Sequence, residues 1–212
     1  MDIKSIDLTY IANTYNRFPL QLCNGKGSLV YDENGKEYID MGSGIAVNSF
    51  GFCDEEWQNS VNAQLSQIQH SSNLYYTEPC AKLAELICKK TGMSKVFFAN
   101  SGAEANECAI KTARKYAAET KGSDYYTIIT LKNSFHGRTL ATLAATGQDV
   151  FHKDFLPLMP GFVYAEAENT DELHRLVKEN KCAAIMFECI QGEGGVVPLS
   201  KEYVDEIRKN SN

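Results

Sequence analysis

The sequence predicts an α/β protein with a mostly parallel sheet and flanking helices. Two observations carry the prediction. From about residue 95 onward, short apolar runs ("KVFFA", "YYTIITL", "GFVY", "CAAIMFE") alternate with helical patterns. Polar, glycine-bearing segments follow three of those runs, at 100–103, 132–138 and 188–195. In parallel α/β sheets, ligands sit beyond the carboxyl ends of the strands.

Each element has a local reason. "GSLVYDENGKEYIDM" (27–41) reads as a hairpin, because two β-rich runs flank Asn34-Gly35. A small-residue loop, "GSGIAVNSFGFCD", follows. A helix starts at about Asp54, with Trp57, Val61, Leu65 and Ile68 on one face and acidic residues in its first turn. "HSSNLYYTEP" (70–79) is a polar, aromatic linker. Thr77 and Pro79 suit the start of the next helix, and Gly92 suits its end. "KVFFA" is expected as a buried strand, and 103–120 as a helix closed by Gly122. Ala105, Ala109, Ala113 and Ala117 give that helix a slim flank, suited to close packing on a sheet. Residues 125–131 form a strand, "RTLATLAAT" a helix, "GFVY" a short strand and "DELHRLVKEN" a helix. "CAAIMFE" (182–188) is a strand, and Ser200 caps a final helix to about Lys209. Residues 1–70 are expected to form an N-terminal hairpin, loop and helix segment, and 71–212 the start of the α/β domain. The chain stops just after a helix, where the alternation calls for another strand. It is therefore expected to be part of a longer sequence.

Composition narrows the function. With 212 residues, 43% of them hydrophobic and 23% charged, the chain can bury a sizeable core and resembles an ordinary globular protein. A net charge of −6 disfavours a general nucleic-acid role. No run approaches a membrane span, and the first residues lack the pattern of a signal peptide. Seven cysteines without a C-x-x-C pair read as reduced thiols in a cytoplasm, mostly as small core residues.

Three motifs carry chemistry. "SGAEANE" places Ser101, Gly102 and Ala103 at a helix mouth. There, free N–H groups and the positive dipole end favour an anion, and glycine allows close approach. In "SFHGRTL", Phe135 can cover a planar ligand and Arg138 can grip a carboxylate with two parallel hydrogen bonds. The same tetrapeptide also suits a core phenylalanine and a surface ion pair. In "ECIQGEGGVVP", Glu188 and Glu193 flank a glycine-rich turn, which alone reads equally as a solvated loop. His70, His152 and His174 stand singly and receive no role.

In order and spacing, these segments resemble the class III family of pyridoxal-phosphate-dependent aminotransferases, of fold type I. "GSLVYDENGKEYIDMGSGIAVNSFGF" and "HSSNLYYTEP" extend the likeness along nearly the whole chain. The resemblance implies that Ser101, Gly102 and Ala103 hold the cofactor phosphate. It implies that Phe135 stacks on the pyridine ring, with Glu188 lining the cofactor site. Arg138 then binds the substrate α-carboxylate, and Glu193 pairs with a later arginine when no dicarboxylate is bound. The linker is similar to one reaching a dimer interface, which makes Tyr75 and Tyr76 lesser substrate-side candidates and implies a homodimer. Gly44 stands where relatives acting on ornithine usually have tyrosine. It favours an N-acylated ornithine, acetylornithine or its succinylated analogue, as amino donor to 2-oxoglutarate. The implied setting is arginine biosynthesis in the cytoplasm. Cys189 replaces a usual proline, and "GFCDEEW" replaces a usual "GHCHP". The family's cofactor-bearing lysine, the aspartate at the pyridine nitrogen and the arginine facing Glu193 are expected after Asn212. These 212 residues alone are then expected to be inactive. Two alternatives remain: a class III aminotransferase for ornithine, succinylornithine or 4-aminobutyrate, and a non-catalytic protein binding a phosphorylated ligand.

Overall fold

A computed structural model describes residues 2–210 of the chain. Two compact units result, Met1–Lys82 and Leu83–Asn212.

The first unit opens with helix α1 (Ile3–Tyr10), capped by the Asp2 carboxylate, which accepts the Ser5 N–H at 2.8 Å. An antiparallel sheet follows in the order β1 (Leu22–Lys26), β2 (Leu29–Asp32), β3 (Glu37–Ile39). The expected hairpin is β2–β3. Asp32 organises its turn, because Oδ1 accepts from the N–H groups of Asn34 and Lys36. Gly35 takes the left-handed φ of +78°. β1 is an addition to the expected hairpin: "LCNGK" has too few β-formers to announce a strand, and pairs with β2 through its backbone. The small-residue loop holds a single turn, α2 (Ser43–Ala46), in which Ser43, Gly44, Ile45 and Ala46 all have positive φ. That conformation costs each non-glycine residue about 1–2 kcal/mol, so Gly44 also has a backbone reason. α3 (Glu55–Leu65) starts at the Asp54 cap, and α4 (Glu78–Thr91) ends at Gly92. The expected apolar face of α3 is not covered, since Trp57, Leu65 and Ile68 are exposed. Among the described residues, Val30 is the one buried hydrophobic side chain of this unit.

The second unit carries the core. Its elements are α5 (Gly102–Thr120), β4 (Thr127–Leu131), α6 (Leu140–Ala145), α7 (Asp149–His152) and β5 (Phe162–Ala165), then α8 (Thr170–Glu179), β6 (Cys182–Ile185), β7 (Ile190–Gln191), β8 (Val197–Pro198) and α9 (Lys201–Lys209). A parallel sheet runs in the order β5-β4-β6. The period of two along β4 splits its side chains between two helical layers. Ile129 and Leu131 pack with Leu173 of α8 and with Tyr203 and Ile207 of α9. Ile128 packs with Ile110 of α5 and with Ala141 and Ala145 of α6. Burying a side chain the size of leucine contributes about 1.5–3 kcal/mol, and these contacts fix where the loop after β4 emerges.

Three expectations need correction here. "KVFFA" is not a strand: residues 95–99 join no ladder, and Phe97 and Phe98 are exposed. An apolar run becomes a strand only where a neighbour pairs its backbone, and the two neighbours of β4 are β5 and β6. The alanine stripe does not lie along the sheet. A spacing of four residues drifts about 40° per step around a helix of 3.6 residues per turn. Ala105 and Ala109 are accordingly exposed and Ala117 is buried, while Ile110 and Ala117 are the buried residues of α5. None of the seven cysteines is fully buried, and all are free thiols.

Candidate functional site

The motif-bearing segments of the second unit meet around one loop. At the mouth of α5, Ser101 is the N-cap, and its Oγ accepts the Glu104 N–H at 3.2 Å. The Glu104 carboxylate turns back onto the Asn100 N–H at 2.7 Å. The N–H groups of Gly102 and Ala103 donate to no acceptor among the described residues. Facing them is the loop after β4. Ser101, Gly102, Ala103, Asn106 and residues 135–139 line one cleft of about 450 Å³, within the size range of small-molecule sites.

Backbone bonds from several elements fix this loop. Ser134 is buried; its Oγ accepts the Gly147 N–H at 3.1 Å, and its C=O accepts from Gln148 Nε2 at 3.2 Å. The Phe135 N–H donates to Glu188 Oε2 at 2.9 Å, and the half-buried ring meets Phe151 edge-on at 5.6 Å. The His136 N–H donates to Thr146 Oγ1 at 2.9 Å, and its C=O accepts from Asn106 Nδ2 at 2.8 Å. The His136 ring is buried and its Nε2 lacks a partner; burial pushes its pKa down to about 4, so it stays neutral near pH 7. The Thr139 hydroxyl donates to Glu107 of α5. Arg138 is exposed at the cleft.

The two cleft glycines differ in kind. Gly137 has φ +130°, and a Cβ there would lie 2.7 Å from the Ala103 Cβ and 2.6 Å from Thr142 Oγ1. The Ser101–Ala103 turn and the loop of Arg138 therefore touch, and only glycine fits between them. A Cβ on Gly102 would meet nothing within 4 Å. No protein packing demands that glycine, and open space lies before it, as an approaching anion needs.

The segment after β6 folds into the β7–β8 hairpin and lies against the same loop. Gln191 Nε2 donates to the Lys132 C=O at 2.8 Å, and Gln148 Nε2 donates to Glu193. A Cβ on Gly194 would sit 2.4 Å from the Asn133 C=O. Glu188 thus holds the aromatic loop directly, and Glu193 reaches it through Gln148, which also donates to the Ser134 C=O. Gly44 and Tyr76 belong to the first unit, where Tyr76 is fully exposed. Asn106, Gln148 and Thr146 were not singled out from sequence. The threonine spacing of "TLATLAAT" was the available signal for Thr146, because it places Thr139, Thr142 and Thr146 near one helix face.

A larger groove, about 660 Å³, runs between 97–100 and α5, lined by Phe97, Phe98, Cys108 and Lys111. It has no open helix mouth and carries none of the clustered motifs. Among the described residues no group of side chains has metal-ligand spacing, and no helix is long and apolar enough to cross a membrane.

A parallel sheet flanked by helices, with the α5 mouth facing the loop after β4, defines an α/β protein. The profile of the aminotransferase class-III family matches residues 10–212, and the chain belongs to that family. It is 48% identical over 206 residues to the acetylornithine aminotransferase of Haemophilus ducreyi, covering 97% of this chain and 52% of that protein. The ornithine aminotransferase of Toxoplasma gondii, crystallised with oxidised glutathione and showing partial occupancy of PLP at its active site, superposes with a TM-score of 0.90 at 28% identity. That match covers 98% of this chain and 49% of the other. The N-acetylornithine aminotransferase of Stenotrophomonas maltophilia superposes at 0.78 with 33% identity, over 97% and 49%. The fold is that of fold-type-I aminotransferases, and the chain spans about half the length of the relatives it matches.

Proposed function

We propose that this chain supplies the phosphate- and carboxylate-binding part of a pyridoxal-phosphate aminotransferase that takes the δ-amino group of N-acetylornithine and gives it to 2-oxoglutarate. The observation that carries the reading is the single cleft joining the open turn Ser101–Ala103 to Phe135 and Arg138. The cleft fits the cofactor: two unpaired N–H groups await a phosphate, and no packing demands Gly102. When bound, pyridoxal phosphate supplies the electron sink for amino-group transfer. Ser101, Gly102 and Ala103 hold its phosphate, and Phe135 covers its ring. Arg138 orients the substrate carboxylate through its planar fork. Glu193 stands on the substrate side. Gly44 and Tyr76, both in the first unit, are substrate-side residues of the whole protein, the glycine leaving room for an acyl group. The exposed apolar side chains of that unit support a homodimer. Arginine biosynthesis in a cytoplasm is the setting that goes with this substrate.

The test is a comparison of kcat/KM for acetylornithine, succinylornithine, ornithine and 4-aminobutyrate, with 2-oxoglutarate as acceptor, in the whole protein that carries this sequence. Preference for ornithine or 4-aminobutyrate would replace the substrate assignment. The reading for the 212 residues alone is ligand binding without turnover. Borohydride trapping with pyridoxal phosphate, followed by peptide mapping, should scatter label over surface lysines. Label on a single lysine together with turnover would refute that reading.

A further inference from the structure

We propose that Glu188 is a positioning residue for Phe135: its carboxylate fixes the backbone of the aromatic residue, and it acts on the ligand only through that ring. The assignment of a ring ligand to Phe135 rests on the function proposed above; the contact itself does not.

The loop after β4 is anchored by α5, by the segment just after α6 and by the segment after β6. Ser134 is held by Gly147 and Gln148, and His136 by Thr146 and Asn106. Between them, the Phe135 N–H has one acceptor, Glu188 Oε2 at 2.9 Å, 53 residues away in sequence. Glu188 follows β6 closely, where the Met186 N–H still donates to the Ile129 C=O at 2.8 Å. The carboxylate is therefore registered to β4 itself. The hairpin beyond it is tied to the same loop through Gln191, Gly194 and Glu193. Sheet, hairpin and aromatic loop form one assembly, and Glu188 is its link to Phe135, which lines the cleft. An ionised acceptor makes a short, strong bond to a backbone N–H. Charge is not required for that task, because an amide oxygen can accept the same proton.

Acceptor and charge can be separated in the protein as it occurs. Glu188→Ala removes the acceptor, whereas Glu188→Gln keeps it and removes the charge. The first readout is hydrogen exchange at the Phe135 amide, which needs no cofactor. Glu188→Ala should accelerate it about tenfold, and Glu188→Gln should leave it near the wild-type rate. The second readout is titration with pyridoxal phosphate, followed by the circular dichroism of the bound ring. Glu188→Ala should weaken binding about tenfold and diminish the ring signal, with the affinity for inorganic phosphate unchanged, while Glu188→Gln restores both. Unchanged exchange at Phe135 in Glu188→Ala overturns the proposal. So does a Glu188→Gln variant with normal exchange but the cofactor defect of Glu188→Ala, since the charge would then act on the ligand directly. If the wild type binds no pyridoxal phosphate, the proposed function fails, and the exchange rates alone decide the role of Glu188.

Discussion

Substituting alanine for each of the two cleft glycines should separate what the fold requires from what the ligand requires. At Gly137 the backbone sits at φ +130°, and the new Cβ would lie 2.6 Å from Thr142 Oγ1, 2.7 Å from the Ala103 Cβ and 3.0 Å from the Thr142 Cβ. Backbone strain of this kind costs about 1–3 kcal/mol, and overpacking a fixed core adds about 1–3 kcal/mol. Relief is poor: Thr142 is buried and hydrogen-bonded to Thr139, and Ala103 sits in the first turn of a 19-residue helix. A total of roughly 3 kcal/mol, at about 2–4 °C per kcal/mol for a chain of this size, lowers Tm by roughly 6–12 °C. At Gly102 no atom lies within 4 Å of the new Cβ, and the residue begins the helix. Gly102→Ala should leave stability within about 0.5 kcal/mol or raise it slightly, by restricting the unfolded chain. It should weaken phosphate and pyridoxal phosphate about tenfold or more, by placing a methyl group where the anion approaches. Calorimetry and a phosphate titration on the same three proteins read both effects. If Gly137→Ala melts with the wild type, the contact between turn and loop is wrong. If Gly102→Ala binds phosphate normally, the helix mouth is not the anion site.

The remaining predictions concern charge, caps and an orphaned hydroxyl. The folded pKa of His136, about 4, lies below the unfolded value of about 6.5, so the unfolded state takes up its proton first as pH falls. Stability present above about pH 6.5 should be lost toward pH 4 at roughly 1 kcal/mol per pH unit, and His136→Phe should remove that part of the slope; identical slopes would refute it. Arg138→Lys should raise KM for the amino donor and cut kcat/KM by about tenfold or more, because lysine lacks the planar fork; unchanged kinetics would assign Arg138 to a structural ion pair. Ser101→Ala removes the cap on the Glu104 N–H and should cost about 1 kcal/mol in denaturant unfolding. Thr130→Val replaces a buried hydroxyl that has no partner, and the midpoint of unfolding should rise.

Part of this was legible in the sequence because it is local. The Asn34-Gly35 turn, the helix start near Asp54, the Ser200 cap and most of the strand expected at 125–131 depend on neighbours in the chain, and periodicity and turn chemistry report those. "KVFFA" was misread because a strand is completed by a partner, and one sequence run does not disclose its partner. The alanine stripe was misread for a geometric reason: a four-residue spacing is not the helix period, and small residues set on it pass from solvent into the core. The cleft was legible as motif types, and Ser101–Ala103 and Phe135–Arg138 do line one space. The anchors were not legible. Gln148, Asn106 and Thr146 act through backbone groups many residues away, and a side chain that holds a carbonyl leaves no pattern in its own neighbourhood.

That difference bears on how the cleft works. The groups proposed to meet the ligand include two N–H groups with no acceptor among the described residues and the half-buried Phe135 ring. Their precision must come from outside them. Ser134 and His136, on either side of Phe135, are each tied through two groups to α5, α6 or the chain just after α6, and the Phe135 N–H is tied to the segment after β6. A ring free to move by an ångström would lose contact with a planar ligand, since a radial gap of 0.5–1 Å forfeits about a quarter to a half of each dispersion well. The helix mouth is fixed in turn by Gly137, which holds the loop at van der Waals distance from Ala103. Changes in the anchoring layer should therefore appear as lost cofactor affinity and altered ring spectra before they appear as unfolding. Thr146→Val is the direct case. It keeps the volume in a buried site but deletes the acceptor of the His136 N–H and the donor to the Thr142 C=O. Leaving one buried N–H unsatisfied costs about 1–3 kcal/mol, which should be read as a Tm lowered by roughly 2–12 °C. At temperatures where the variant is still folded, the ring signal of bound pyridoxal phosphate should already be reduced. A full ring signal up to the melting point would show that the loop keeps its place without this anchor, and that the cleft owes its geometry to the lining residues alone.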